Sequence, residues 1–233
     1  TVGVLVVDRQ ATRGSPGRHF QVKDGAALEA EGLTLVGGVT DFGGVVNIEG
    51  TGSSATFSNC ILTENTATRM GGVVAIGMAG SATGSSATFI NCMLTKNTAT
   101  ENGGVAILSS SIIFISCTLV ENTAASGGVV FLNSGSAIFN FCKFIGNTAT
   151  SDGGVIFAQG SASGIFNNCN MTDNAARVTG GMAYIHSGAS LTLRDSTTID
   201  NKVNGALYAF HITSSALSIN IVNPHPSSQV DAI

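Results

Sequence analysis

A short pattern of apolar residues recurs along most of the chain. Four inward positions, spaced by 2, 3 and 2 residues, hold Ala55, Phe57, Cys60 and Leu62 in one copy. A spacing of two keeps side chains on one face of a strand, and the extra residue turns the chain. Each copy is therefore predicted to contain two short strands joined at a corner. The phenylalanine recurs after 32, 25, 25 and 27 residues, at Phe57, Phe89, Phe114, Phe139 and Phe166.

The second half of each copy holds an asparagine, a small inward alanine, a glycine pair and a third apolar strand. Asparagine tolerates left-handed backbone, and amides stacked at one corner can link successive turns. The glycines allow backbone shapes that side chains forbid. We therefore predict an asparagine ladder along one corner. Its members are Asn65, Asn97, Asn122, Asn147 and Asn174, with Asn201 following.

These repeats predict an all-β fold, a right-handed single-stranded parallel β-helix. The expectation is three strands per rung and 7–8 rungs of about 25 residues. Residues 28–223 form the rungs, residues 1–27 an N-terminal end rung and loop, and residues 224–233 a C-terminal tail. The long first interval between phenylalanines indicates an insertion near residues 77–86.

Composition excludes several classes of partner. Charged residues make up only 10% of the chain and the mean hydropathy is +0.34, whereas a soluble domain carries about 25% charged residues. The surface must therefore be unusually neutral or partly covered. A net charge of −4 gives no basic footprint, so no nucleic acid is expected. No apolar run is long enough for a transmembrane helix. The start at Thr1 without a signal peptide is that of a mature or truncated product.

The cysteines occupy a single inward column, one per rung. Tetrahedral zinc needs ligands that converge from several directions, and a disulfide between stacked neighbours would strain the ladder. We therefore predict free thiols that pack as small apolar side chains, with oxidation between neighbours as the alternative. No metal or other cofactor is expected. The column consists of Cys60, Cys92, Cys117, Cys142 and Cys169.

The carboxylates bear on enzymatic activity, because polysaccharide-cleaving enzymes share this fold. Such a site needs carboxylates close together. The column before the asparagines mixes charges with a glycine, as is typical of a solvated corner, and Asp195 beside Arg194 is a single pair. The histidines fall on different rungs. We expect no catalytic residues, with a carbohydrate-active β-helix as the alternative. The column before the asparagines consists of Glu64, Lys96, Glu121, Gly146, Asp173 and Asp200, and the histidines are His19, His186, His211 and His225.

Threonine pairs flank the inward alanine in three copies, at residues 66–68, 98–100 and 148–150. If alanine points inward, both threonines point outward about 7 Å apart. Such arrays resemble the flat threonine faces of ice-binding solenoids. Ala125 and Arg177 interrupt the array, and threonine is also a common strand residue. Ice binding is therefore a second alternative.

One asparagine has the sequence context of a glycosylation site, Asn170-Met171-Thr172. Met171 lies in the inward column, so Asn170 is predicted to point outward and to accept a glycan in a eukaryotic secretory setting.

The third strands carry apolar residues at every position, so one apolar column is predicted to face outward. Continuous apolar runs imply burial on both faces of a strand. We predict a face that binds a protein partner or sister copies, with a covering segment or membrane contact as the alternatives. The candidates are Val46, Ile48, Val74, Ile76, Leu108, Val130, Leu132, Ile156 and Ile185. Five isoleucines, Ile90, Ile113, Ile115, Ile138 and Ile165, are predicted to point outward from another face.

Two repeated signals carry a family resemblance. Phe144-x-x-Asn147 and Gly153-Gly154-Val155-Ile156 resemble the FxxN and GGA[ILV] repeats of the polymorphic outer-membrane proteins and of adhesin-like surface proteins, over roughly residues 19–215. The resemblance implies an extracellular or cell-surface module used in adhesion, without catalytic residues. The predicted function is therefore that of a non-enzymatic structural or adhesin-like module, and carbohydrate stays open as a partner.

Overall fold

The computed structural model describes residues 5–12, 14–78, 82–213 and 218–223, and all regular structure within them is β-strand. Strands of successive turns pair in parallel and in register, so the chain winds into a parallel β-helix. Four eight-stranded sheets result, with about eight turns. The predicted solenoid is confirmed, but each turn contributes four strands rather than three.

The sheets are numbered in the order in which one turn visits them. Sheet 1 consists of Ala27–Glu31, Ser54–Ser58, Ser86–Ile90, Ser111–Ile115, Ser136–Asn140, Ser163–Asn167, Ser190–Arg194 and Ser218–Val222. Sheet 2 consists of Leu5–Asp8, Leu33–Val36, Ile61–Thr63, Met93–Thr95, Thr118–Val120, Lys143–Ile145, Asn170–Thr172 and Thr197–Ile199. Sheet 3 consists of Val39–Phe42, Thr66–Met70, Thr98–Ala99, Thr123–Ala124, Thr148–Ala149, Ala175–Ala176, Lys202–Val203 and the antiparallel Ala206–Leu207. Sheet 4 consists of Phe20–Val22, Val46–Ile48, Val74–Ile76, Ala106–Leu108, Val130–Leu132, Ile156–Ala158, Ala183–Ile185 and Phe210–Ile212.

The extra strand is the short segment around the inward alanine. In the middle turns it is only two residues long, as at Thr98–Ala99 and Thr123–Ala124. Two residues are too few to show the alternation that marks a strand in a sequence. The strand forms because it is stacked between its neighbours: the backbone of Thr98 pairs with Thr66 in one adjacent turn and with Thr123 in the other.

Two corners in each turn depend on left-handed backbone. The first precedes the cysteine, as at Asn59 (φ 54°), and the second precedes the ladder asparagine, as at Glu64 (φ 56°). The left-handed conformation predicted for the ladder asparagine is adopted instead by the residue before it. The asparagine is instead buried, because its side chain is needed inside the turn.

Stacked columns fill the interior. Phe57, Phe89, Phe114, Phe139 and Phe166 lie fully buried with ring centroids 4.5–5.2 Å apart. The cysteine column is buried beside them. Identical side chains stacked in register repeat the same packing from turn to turn, which favours a dense interior.

The asparagine ladder is confirmed. Asn147 Oδ1 accepts hydrogen bonds from both the backbone N–H and the side-chain amide of Asn122, each at 3.0 Å. Asn147 in turn donates from Nδ2 to Asn174 Oδ1 (2.9 Å) and to the Leu119 carbonyl (2.9 Å). The same pattern runs from Asn65 to Asn201, so the buried amides satisfy one another along the solenoid.

A repeated irregularity at the start of sheet 4 reverses the predicted facing of that strand. The Val155 carbonyl accepts hydrogen bonds from the backbone N–H groups of both Val129 (3.0 Å) and Val130 (2.9 Å). Both N–H groups bond to one carbonyl, as in a β-bulge, and both side chains face the core, so the alternation shifts by one position while successive turns stay in register. Val130 and Leu132 then face the core, while Phe131 faces outward.

The predicted outward column is therefore wrong. All nine candidate interface residues are fully buried in the main core, at 0% exposure. These are Val46, Ile48, Val74, Ile76, Leu108, Val130, Leu132, Ile156 and Ile185.

The N-terminal residues supply the first turn. Leu5–Asp8 pairs with Leu33–Val36 in sheet 2, and Phe20–Val22 pairs with Val46–Ile48 in sheet 4. The proposed C-terminal tail, residues 224–233, lies outside the described residues. Within the described part of the chain, no helix has the length and apolar character needed to cross a membrane.

Candidate functional site

The outer side of sheet 4 carries the apolar column that the bulge exposes. Ala75, Ile107 and Phe131 form a cluster separate from the main core, and the partly buried side chains of Met70 and Met78 pack against it. Phe131 is only 9% exposed, and its ring also stacks on that of Phe157. Much of the predicted apolar surface is thus covered by the chain itself.

An aromatic stack continues this column towards the C-terminal turns. The rings of Phe131, Phe157, Tyr184 and His211 follow one another at 4.7, 4.8 and 5.1 Å between centroids. Rings stacked on one another present edges to solvent, so their faces are not free for a flat ligand. Burial, together with the charge of Asp152, raises the pKa of Tyr184. This stack was not predicted from the sequence, because Phe131 and Phe157 were expected to face the interior.

A groove of about 280 Å³ lies beside the first part of this column. Met78, Ile107 and Phe131 line its apolar side, and amides line the other. Gln159 Nε2 donates to Asn133 Oδ1 at 2.8 Å, so these two amides are paired. The groove is a shallow, mostly apolar cleft without a charged side chain in its lining.

The outer face of sheet 1 has the apolar surface that remains open. Its five isoleucines, hereafter the isoleucine face, are all partly exposed. Ile113 pairs in register with Ile138, Ile138 with Ile165, and Ile90 with Ile115. The outward direction predicted for these side chains is confirmed. The isoleucine face consists of Ile90, Ile113, Ile115, Ile138 and Ile165.

Small polar residues border the isoleucine face. On one side a column of serines runs in register through successive strands, and on the other Asn167 Nδ2 donates to Asn140 Oδ1 at 2.9 Å. The serines are Ser54, Ser86, Ser111, Ser136, Ser163 and Ser190. The surface is thus a regular array of short side chains around an apolar centre.

Charges lie only towards the ends of this sheet. Glu29 and Glu31 are in its first strand and Arg194 is in its seventh, and all three side chains are exposed. In the strands between them, from Ser54–Ser58 to Ser163–Asn167, every residue is uncharged.

Large exposed apolar side chains also lie on the neighbouring corner and sheet. Phe141 is 62% exposed at the corner after sheet 1, and Ile61, Met93 and Ile145 project from sheet 2. Phe141 has a left-handed backbone (φ 56°), which is strained for a bulky side chain. At the same corner the neighbouring turns have asparagine or serine, which adopt this conformation more readily.

The threonines of sheet 3 line up across four turns. Thr66, Thr98, Thr123 and Thr148 pair in register and are partly exposed. The second column is interrupted, since Ala125 takes the place that Thr100 and Thr150 hold in the adjacent turns. The array is narrow as well as incomplete, because the strands of Thr98, Thr123 and Thr148 are only two residues long.

The cysteine column offers no accessible nucleophile. Each thiol lies within hydrogen-bonding distance of backbone carbonyls, as Cys117 Sγ does of the Phe89 and Ile115 oxygens (both 3.4 Å). The neighbouring Cys142 thiol and burial raise the pKa of Cys117 to about 12. A thiol that stays protonated and buried is a packing group, because the thiolate is the reactive form.

The charged side chains of the predicted solvated corner do not converge. Glu64, Lys96, Glu121, Asp173 and Asp200 are exposed, one per turn. Among the described residues, no three His, Cys, Asp or Glu side chains come together in a geometry that could hold a metal ion.

Two of the four histidines lie next to the same tyrosine, although they are distant from each other in sequence. The rings of His186 and His211 lie 5.9 and 5.1 Å from the Tyr184 ring. His19 lies in the first turn, near the Val7 carbonyl (3.0 Å). His225 lies outside the described residues.

The predicted glycosylation position is accessible. Asn170 is exposed on the outer side of sheet 2, and the following Met171 is fully buried. The outward direction of Asn170 is confirmed, while its glycosylation stays a prediction.

Comparison with known proteins supports the fold and adds no activity. The family model described as a right-handed β-helix region matches residues 43–223. The search of curated proteins and the search of solved structures found no similar chain. Because the family match covers most of the sequence, the chain belongs to the right-handed β-helix region family.

Proposed function

We propose that this chain is a non-enzymatic β-helical module that contacts proteins through the outer face of sheet 1. The observation that carries the proposal is the isoleucine face, where five β-branched side chains adjoin by register and remain partly exposed. A contiguous apolar patch rimmed by polar residues is typical of an interaction site.

The remainder of the surface supports this choice of face. In sheet 4, Met70 and Met78 pack against the buried cluster of Ala75, Ile107 and Phe131, and the aromatic rings that follow stack on each other. Sheet 1 has the longest regular strands, five residues each, and they form a broad surface of short side chains. Such a surface loses little side-chain entropy when a partner covers it.

An adhesin-like role outside the cell, at its surface or in a secreted assembly, is part of the proposal. It rests on the resemblance to surface-protein repeats and on the low content of charged residues. The exposed Asn170 fits a glycan in a eukaryotic secretory setting.

A photo-crosslinker placed at Ile138 tests the proposal in the native assembly. A benzophenone amino acid at that position should yield covalent adducts of discrete mass with a neighbouring protein. The same group at Asp173, an exposed corner position away from sheet 1, serves as the matched control. Equal or absent adduct formation at the two positions would overturn the proposal.

A carbohydrate-active β-helix and an ice-binding solenoid remain as competing functions. The first is tested by polysaccharide cleavage assays with and without calcium. Ice binding is supported by the in-register threonines of sheet 3, and it is tested by measuring thermal hysteresis. Cleavage, or hysteresis that a Thr98→Lys substitution removes, would replace the proposal above.

A further inference from the structure

We infer that the partner of the isoleucine face is a second copy of this chain, bound with the two solenoid axes antiparallel. This inference rests on the proposed use of the outer face of sheet 1 for protein contact. It adds the identity of the partner and the relative orientation of the two molecules.

The size of the face fits a reversible dimer. Seven strands about 4.8 Å apart, each five residues long, cover roughly 550 Å² on each copy. Two such faces bury roughly 1,100 Å², near the lower limit of about 1,200 Å² for specific interfaces. An apolar centre with a polar rim has the composition of such an interface. We therefore expect a dimer that dissociates at micromolar concentration.

The charges at the ends of the sheet determine the orientation. Consider a twofold axis that runs parallel to the strands and passes through the fourth strand, Ser111–Ile115. It places the first strand of one copy opposite the seventh strand of the other, and it keeps each outward column opposite itself. Glu31 and Arg194 occupy the same column, as the register Glu31–Ser58 to Asn167–Arg194 shows. The dimer then contains two Glu31–Arg194 pairs, one at each end.

The same axis keeps the apolar side chains at the centre. Ile113 and Ile115 face their own copies across the axis, and Ile138 faces Thr88, whose methyl group continues the apolar contact. Among the described residues, neither Glu31 nor Arg194 forms an ion pair within its own chain, and Glu31 Oε1 accepts a long hydrogen bond (3.4 Å) from Asn59 Nδ2. Both charges are exposed and carry no opposite charge of their own chain, so each can pair with a second copy.

The parallel alternative is disfavoured by the same charges. A twofold axis along the solenoid would place every strand opposite its own copy, so that Glu29 would face Glu29. Like charges placed opposite each other across an interface are repulsive. Antiparallel axes replace this repulsion by attraction.

Sedimentation equilibrium of the purified chain and of charge variants tests the inference. The unmodified chain should approach twice its 23.5 kDa mass as its concentration rises. Arg194→Glu and Glu31→Arg should each weaken dimerisation about 5–10-fold, and the double variant should recover to within about twofold. A monomer at all concentrations, or a double variant as weak as the single ones, would overturn the inference.

Crosslinking distinguishes the two orientations. In the antiparallel dimer, Ile113→Cys faces its own copy, and a short bismaleimide should join the chains. Thr56→Cys lies in the same column two strands away, so its copies are about 19 Å apart and should not be joined. Equal crosslinking at both positions would indicate the parallel arrangement and contradict ours.

The outcomes separate this inference from the proposed function. If the chain is monomeric but a crosslinker at Ile138 captures a different protein in the native assembly, only the self-association fails. If neither a second copy nor another protein is captured at Ile138, the proposed function fails as well.

Discussion

A buried asparagine in the ladder serves two turns at once. Asn147 Oδ1 is the acceptor for two donors of Asn122, while its Nδ2 donates to Asn174 and to a backbone carbonyl. Its removal therefore leaves polar groups without partners in a neighbouring turn, where water does not reach. Buried donors without acceptors destabilise a protein more than a lost exposed hydrogen bond does.

Asn147→Ala should lower the free energy of unfolding by about 2–4 kcal/mol, because two donors of Asn122 lose their acceptor. The measurement is equilibrium unfolding in guanidinium chloride. Asn140→Ala is the matched control, since it removes an asparagine pair that is partly exposed. A loss of the same size in both variants would contradict the role of the ladder.

Phe141 is the one aromatic residue with a left-handed backbone in the described chain. Phe141→Asn should stabilise the fold by about 1 kcal/mol, because asparagine has a lower cost in this conformation. The reverse change at the equivalent corner, Asn168→Phe, should destabilise it by a similar amount. Thermal unfolding measures both. Destabilisation by Phe141→Asn would mean that the exposed ring makes a stabilising contact.

The thiol of Cys117 links stability to alkaline pH. Its pKa is raised to about 12 in the folded chain by the neighbouring Cys142 thiol and by burial, whereas an ordinary cysteine titrates near 8.5. Between these values the unfolded chain has lost the proton that the folded chain keeps, so stability falls as pH rises. The free energy of unfolding, measured under reducing conditions, should decline from about pH 9 towards pH 12. Cys117→Ala should flatten this decline, and an unchanged slope would contradict the assignment.

At the scale of the strand, the glycine pair permits the turn between sheets 3 and 4. A Cβ on Gly128 would lie 2.2 Å from the Gly154 carbonyl oxygen of the next turn. Backbone atoms of a stacked turn cannot move aside without breaking the ladder. The second glycine of the pair is therefore required by the close approach of two backbones, in addition to the left-handed conformation of the first, Gly127 (φ 63°).

Gly128→Ala should destabilise the solenoid by more than about 3 kcal/mol, because no neighbouring atom can make room for the methyl group. Gly52→Ala is the matched control: its φ is +72°, but open space surrounds its Cβ position. The control should cost only about 1–2 kcal/mol, the price of left-handed backbone. Chemical denaturation compares them, and equal losses would refute the proposed close approach.

The repeats predicted the strands and corners well, because stacked turns place the same residue type at the same position in every turn. The columns of phenylalanine, cysteine, alanine and asparagine have one role per position, so their register is readable from spacing alone. The facing of sheet 4 was not readable. Val130 and Phe131 are both apolar, and the bulge before Val130 is set by a carbonyl in the next turn. The alternation of apolar and polar residues could not identify the inward face there, because the inward and outward columns of sheet 4 are both apolar.

For the whole molecule, this reversal moves the candidate contact surface from sheet 4 to sheet 1. The side chains first predicted to form an interface complete the core, and of those between them Ala75, Ile107 and Phe131 are buried as well. Sheet 1 presents a regular, partly exposed face of serines, threonines and isoleucines with charges near its two ends, next to the exposed Phe141 corner. The outward direction of the isoleucines could be predicted from the sequence, because inward and outward side chains alternate strictly along the strands of sheet 1.

Thermal unfolding of two lysine variants tests most directly which side chains face the core and which face outward. Val130→Lys buries a charge in the core and should abolish the cooperative transition, because an unpaired buried ammonium costs on the order of several kcal/mol. Ile138→Lys changes a partly exposed position and should shift the melting temperature by no more than about 2 °C. The opposite order of sensitivity, with Val130→Lys tolerated and Ile138→Lys unfolded, would contradict the account.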